Sequence, residues 1–134
     1  MKRSSSSPKT DADTTIQELK DARTQFCDER GWSRHHTPRN LSISIAIEAA
    51  ELMEHFQWGD YSKRNKQEIA SELADILSYT LSLADKLEID LSTAFRDKLE
   101  HVKKKYPVEI FNPDHDDKKA YNNIKKSYRQ NKTT

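Results

Sequence analysis

The sequence predicts an all-α fold, of the four-helix-bundle type and oligomeric, and three observations carry that reading. Between Arg39 and Tyr106 there is no proline and a single glycine, Gly59. Apolar residues in that stretch recur every three or four positions, the period of one helix face, and do not alternate as they would in a half-buried strand. Of the 134 residues, 34% are apolar and another 34% are charged, which leaves one copy a thin core and favours a bundle completed by partner subunits.

The elements follow from their start and stop signals. The opening MKRSSSSPKTDADT is poor in apolar residues and rich in serine, so residues 1–14 are expected to form a flexible leader. A first helix runs from Thr15 to Arg30 and stops at Gly31, the residue type that most readily takes the left-handed, helix-ending conformation. Thr37 is a good N-cap and Pro38 suits the first helical position, so a second helix begins there and ends before Gly59. Asn65 followed by Glu68 resembles a capping box, which starts a third helix between Ser62 and Asn65 and carries it to Glu88. Asp90 caps a fourth, stopped near Pro107. These elements make one domain, 15–110. Residues 111–134 form a polar, basic tail with a short helix expected between Asp117 and Tyr128.

Charge narrows the function classes. A net charge of +1 gives no global reason to expect nucleic-acid or membrane binding, and neither is expected. Its distribution says more. No Lys or Arg occurs from Asn40 through Ser62, which holds four acids, or from Gln67 through Asp85, which holds four more. A lone Cys27 can form no internal disulfide, and no apolar run is long enough for a signal peptide or a membrane span, so a cytosolic protein is expected.

Two acidic pairs stand out. At about 100° per residue, Glu48 and Glu51 project from one face of the second helix, one turn apart, and Glu72 and Asp75 do the same on the third. Ser44, Glu48, Glu51 and His55 make a polar strip walled by Leu41, Ile45, Leu52 and Phe56 on one side and by Ile43 and Ile47 on the other. Such a strip belongs inside a bundle, where carboxylates must be paired or bound to metal. No base lies four positions after any of the four to neutralise it along its own helix. Taken singly, each pair reads more readily as an ordinary solvated face. Together, on neighbouring antiparallel helices, they make an oxygen-only site suited to Mg²⁺ or Mn²⁺. Zinc fits poorly, because the five histidines form no HxxxH with an accompanying acid. His55 reads as a neighbour of the site more readily than as a ligand.

The stretch WSRHHTPRNLSISIAIEAAELMEHFQW, then ELADILSY, then KKKYPVE, resembles the MazG-like all-α nucleotide pyrophosphohydrolases, and within them the dCTP pyrophosphatase branch. The similarity covers about Thr15 to Glu109. It implies hydrolysis between the α and β phosphates of a nucleoside triphosphate, with Mg²⁺, in a homodimer or homotetramer. On this resemblance Glu48, Glu51, Glu72 and Asp75 are the metal ligands. Trp32, His36, Asn40, Trp58 and Tyr79 match positions in or beside the nucleotide pocket, and Lys105 and Tyr106 match the KYP segment near the phosphates. Glu51 is taken as the general base, with Glu54 a candidate helper, although nothing in the sequence separates the four acids. Arg23 stands where the branch has a histidine near the base, and Val102 where many relatives have an asparagine. Without the resemblance, Trp32, Trp58 and Tyr79 read equally as core or interface anchors, and Lys103, Lys104 and Lys105 as cations at a helix C-terminus. The rival reading is a non-catalytic helical module whose tail, Lys118 to Lys132, docks on nucleic acid or an acidic partner. A di-iron or di-manganese bundle ranks below both, because neither Glu51 nor Glu72 has a histidine three residues on.

Overall fold

A computed structural model of the chain describes residues 7–59, 65–114 and 117–132, and among these every regular element is helical. The order is α1 (Ile16–Glu29), a single 3₁₀ turn (Ser33–His35), α2 (Pro38–Glu54), α3 (Lys66–Lys86), α4 (Leu91–Lys105) and α5 (Lys118–Gln130). The expected all-α architecture is present, with the tail helix longer than the sequence suggested. The expected start of α3 between Ser62 and Asn65 lies partly outside the described residues. No helix among those described is long and apolar enough to cross a membrane.

Local chemistry sets the helix ends. At α1, the Thr15 hydroxyl accepts from the Glu18 amide at 3.1 Å while the Glu18 carboxylate accepts from the Thr15 amide at 2.7 Å, a reciprocal capping box. Lys9 and the Thr15 amide together hold the Glu18 carboxyl down at a pKa of about 2. At α2, Thr37 accepts from the Asn40 amide and Pro38 occupies the first turn. At α5, Asp117 accepts from the Ala120 amide at 2.8 Å.

Two helices close with the same C-terminal motif. Trp32 donates to Cys27 and Gly31 to Asp28 at the end of α1; Ile89 donates to Ala84 and Glu88 to Asp85 at the end of α3. The motif needs a left-handed residue. Gly31 supplies it at φ 65° without strain, whereas Glu88 adopts φ 54° with a side chain in the way.

Contacts divide the chain into two compact units, 1–91 and 92–134. In the first, α2 packs chiefly along α3, and α1 lies on α3. Its buried apolar residues are Cys27, Leu41, Leu81 and Ala84, where the start of α2 and the end of α3 meet α1. Lys20 is buried beside them, its ammonium donating to the Ile89 carbonyl at 2.6 Å just past the end of α3. The second unit holds α4 and α5, joined through aromatic contacts: Tyr106 stacks on Tyr121 with centroids 5.4 Å apart, and His101 meets Tyr128 edge-on at 5.8 Å.

The left-handed Glu88 generates a stability prediction. Glu88→Gly should stabilise the chain by about 0.5–1 kcal/mol, because relief of the left-handed backbone exceeds the entropy of an added glycine. Urea unfolding measures it; an unchanged or lower midpoint contradicts it.

Candidate metal centre

α2 and α3 run antiparallel, since residues late in α2 meet residues early in α3. His55 lies 3.5 Å from Glu72 and 3.8 Å from Glu68 through its two ring nitrogens. The same register sets Glu51 and Glu48 beside Glu72. One carboxylate oxygen from each of Glu48, Glu51 and Glu72 lies within 4.8 Å of the others. Oxygens on opposite sides of one Mg²⁺ are about 4.2 Å apart, from bonds of about 2.1 Å. Small side-chain rotations bring the three onto one ion, and an all-carboxylate donor set fits a hard divalent cation.

Asp75 stands outside that triplet, one turn along α3, but its charge reaches Glu48. Burial raises the Glu48 carboxyl above the ordinary glutamate pKa; the charges of Glu51, Asp75 and Glu72 and a hydrogen bond shared with Glu51 raise it further. Glu48 and Glu72 are half-buried while Glu51 and Asp75 are exposed, so within one chain the strip is open on one side. The flanking Ile43, Ile47, Leu73 and Leu77 are exposed too. Two helices can form only a seam; the enclosure expected from the sequence needs further surfaces. Glu54 points elsewhere, to a shallow groove with Met53 and Phe56.

The other site residues of the first unit fall into two groups. His36 and Tyr79 meet edge-on, centroids 6.4 Å apart, and the Arg23 guanidinium lies over the Tyr79 ring at 5.2 Å while its Nε donates to Ser82. Desolvation first, then the charges of Arg23, Lys86 and His35, push the His36 pKa below its usual value and favour the neutral imidazole. Trp32 packs edge-on against Phe26 at 5.5 Å. Asn40 spends its amide on the His35 carbonyl at 2.9 Å, bracing the turn that carries His36. Trp58 is 91% exposed. Lys105 and Tyr106 belong to the second unit, where the Lys105 ammonium lies 4.2 Å from the Tyr128 ring centre.

A cavity of about 130 Å³ opens beside His36, lined also by Asp28, Ser33, Ser82, Asp85 and Lys86 among others. Its polar groups are already organised: Ser33 donates to Asp28, and Thr24 donates to Asp85 at 2.9 Å. From sequence alone Ser82 and Lys86 belong to an ordinary wet face of the third helix, and Asp28, Ser33 and Asp85 carry no site assignment. The available signal was spacing, for Asp75, Ser78, Ser82 and Asp85 continue a single polar stripe along α3 at intervals of three and four.

The profile of the MazG-like family matches residues 43–124. The chain is similar to dCTP pyrophosphatase 1 of Bos taurus, 32% identical over 107 residues that make up 74% of this chain and 63% of that one. It is likewise 32% identical over 104 residues to dCTP pyrophosphatase 1 of Homo sapiens, covering 72% of this chain and 61% of the relative. The chain thus spans about three fifths of the length of these curated relatives. Among solved structures, a pyrophosphatase from Archaeoglobus fulgidus DSM 4304 superposes with a TM-score of 0.65 at 44% identity, covering 69% of this chain and 92% of that one. With the profile matched across more than half of its residues, on both sides of the seam that gathers the acids, the chain belongs to the MazG-like family.

Proposed function

We propose that the protein is a nucleoside triphosphate pyrophosphohydrolase, converting a deoxynucleoside triphosphate, dCTP or a close relative, to the monophosphate and pyrophosphate. The observation that carries this is the convergence of Glu48, Glu51 and Glu72 across the α2–α3 seam, with Asp75 one turn away. The names of its relatives agree with it. The catalytic domain is taken as residues 15–110, with the leader and tail outside it.

In this reading the four acids hold Mg²⁺, or Mn²⁺ in its place. The bound cation would neutralise charge on the phosphates and make a water acidic enough to attack at neutral pH. Glu51, the exposed member of the triplet, accepts the proton, and His55 braces Glu72 from behind. The nucleobase lodges near His36 and Tyr79, in the cavity closed by Asp28, Ser82 and Asp85. A neutral His36 offers one donor and one acceptor to a base edge. Trp32 and Trp58 supply flat apolar faces, Asn40 fixes the turn before α2, and Lys105 with Tyr106 serves the phosphates.

We also propose a homodimer or homotetramer. Leu19, Ala22, Phe26, Ala74 and Leu77 line an open groove on α1 and α3 with Arg23 and Ser78 among them, and Ile43, Ile47 and Leu73 lie bare beside the acids. Contiguous apolar surface of this kind is uncommon on a monomer.

The deciding experiment offers a panel of nucleoside triphosphates, modified cytosines included, with and without Mg²⁺, and resolves the products by chromatography. Pyrophosphate with monophosphate is expected, and orthophosphate as the sole first product rejects the reading.

Glu48→Gln and Asp75→Asn should each abolish turnover with helicity unchanged by circular dichroism. Without metal, the Glu48→Gln variant should also be more stable than wild type at neutral pH, by about 0.2–1 kcal/mol, the scale of exposed charge pairs. The sign follows from linkage. A raised carboxyl pKa means the folded chain keeps its proton longer than the unfolded one, so stability falls as pH rises from about 4.5 through the raised value. The gap between wild type and Glu48→Gln therefore closes below pH 4.5.

Arg23→His should shift kcat/KM toward dCTP relative to the other deoxynucleoside triphosphates, because Arg23 crowds Tyr79 and His36 where the branch carries a histidine; an unchanged ranking would place Arg23 outside base selection. Leu77→Glu should lower the molar mass found by light scattering to that of one chain, whereas an unaltered mass puts the interface elsewhere.

A further inference from the structure

The whole-chain charge of +1 conceals a segregation. Residues 1–91 carry 12 Lys and Arg against 16 acids, a net −4, while residues 92–134 carry 11 against 6, a net +5. From Lys118 to Thr134 there is no acid at all. The excess is also shaped. α4 and α5 enclose an open cleft of about 350 Å³ whose cations are Lys98, Lys105, Lys125, Arg129 and Lys132, with His101 in the same wall. No carboxylate lines it, and among the described residues none of these five cations lies within ion-pair distance of an acid. Lys103, in contrast, is paired with Glu100 at 2.7 Å outside the cleft.

We propose that this cleft binds single-stranded nucleic acid. Five cations with no acid among them line one concavity and repel one another, and an anion that bridges them relieves it. The cleft volume admits a nucleotide unit. Lys125 and Arg129 continue the cations along one face of α5, with Lys132 just past its end; from Lys125 to Lys132 the row rises about 10 Å, longer than a single phosphate group. Val102 and the rings of His101, Tyr106 and Tyr128 complete the wall; Tyr106 already stacks on Tyr121, so the ring open to a base is Tyr128, 37% exposed with Lys105 over it, and an exposed ring beside a cationic groove is the pairing that holds unstacked bases. A duplex offers its bases only at groove edges and would leave that ring unused.

Fluorescence anisotropy of the full chain with a labelled ten-nucleotide oligothymidylate tests this. With about four phosphates neutralised, log K should fall against log salt with a slope near −3, or roughly fifty-fold between 50 and 200 mM. Lys125→Glu with Arg129→Glu should abolish binding, and Lys125→Gln with Arg129→Gln, which keeps long side chains on the helix, should flatten the slope by about 1.4. Helicity is checked by circular dichroism, and pyrophosphate release from nucleotides should persist in both double variants, which separates this site from the acidic seam. A salt-independent affinity overturns the proposal, as does unchanged affinity in the Gln pair. Tripolyphosphate competing as well per phosphate as the oligonucleotide overturns it in favour of a small-anion site, and equal binding of a duplex overturns the single-strand preference.

Discussion

Carboxylates facing one another across a two-helix seam constrain everything else in the first unit. Glu48, Glu51 and Glu72 meet where α2 and α3 run side by side, and no Lys or Arg lies within either acidic stretch to offset them. Repulsion there opposes the pairing of the two helices, so the pairing must be secured elsewhere. The buried residues show where: Leu41 near the start of α2 and Leu81 and Ala84 near the end of α3, sealed by Cys27 of α1. One end of the helix pair supplies cohesion, and the electrostatic load sits nearer the other. His55, between Glu68 and Glu72, brings a group of opposite potential charge to the loaded end, where α3 also begins with Lys66. An arrangement that destabilises the empty protein is understandable if a cation completes it, since binding to the folded state alone returns that stability.

The helices were legible because each has a chemical beginning or end in the sequence. Thr37 with Pro38, Gly31, and Asp117 all act where the residue types say they should. The end of α3 was less so: Glu88 performs the left-handed turn that glycine performs after α1, and nothing in a glutamate advertises that conformation. Packing overrides propensity there, with Ile89 drawn back to the Ala84 carbonyl. The meeting of Glu48, Glu51 and Glu72 could be read from their spacing, given antiparallel neighbours. The looser position of Asp75 could not, because it depends on how far α3 turns away from α2. The cavity beside His36 was hidden for another reason. Its walls come from α1, the 3₁₀ turn, α2 and α3, and residues such as Asp28 and Asp85 look like ordinary surface acids until those elements are assembled.

Charge placement says more than net charge. A chain-wide +1 is the near-cancellation of an acidic first unit and a basic second one, and each sign has its own use: acids gathered at a seam suit a cation, while cations gathered in a cleft suit a polyanion. Lys105 ties the second unit to both ideas. The family resemblance places it near the phosphates, yet here its ammonium rests over Tyr128 of α5. A cation held over an aromatic ring gives up about 0.5–2 kcal/mol when it leaves, so the tail helix competes for this lysine with any phosphate that needs it.

The stripe along α3 connects the proposed metal centre to the proposed base cavity. Asp75 and Ser82 are seven residues apart, a rise of about 10 Å along the helix. That separation suits an extended nucleotide, with its phosphates at the acids and its base beside Ser82 and His36. Tyr79 sits between the two on the same face, against His36 and under Arg23, where the sugar would pass. A straight helix fixes the distance more rigidly than any loop, so discrimination in this arrangement would fall to what lines the far end. Arg23 stands behind that lining, and its guanidinium is held by Tyr79 and Ser82, not left free to follow a ligand. In the proposed reading, base preference rests on how that guanidinium holds Tyr79 and Ser82, the second of which lines the cavity.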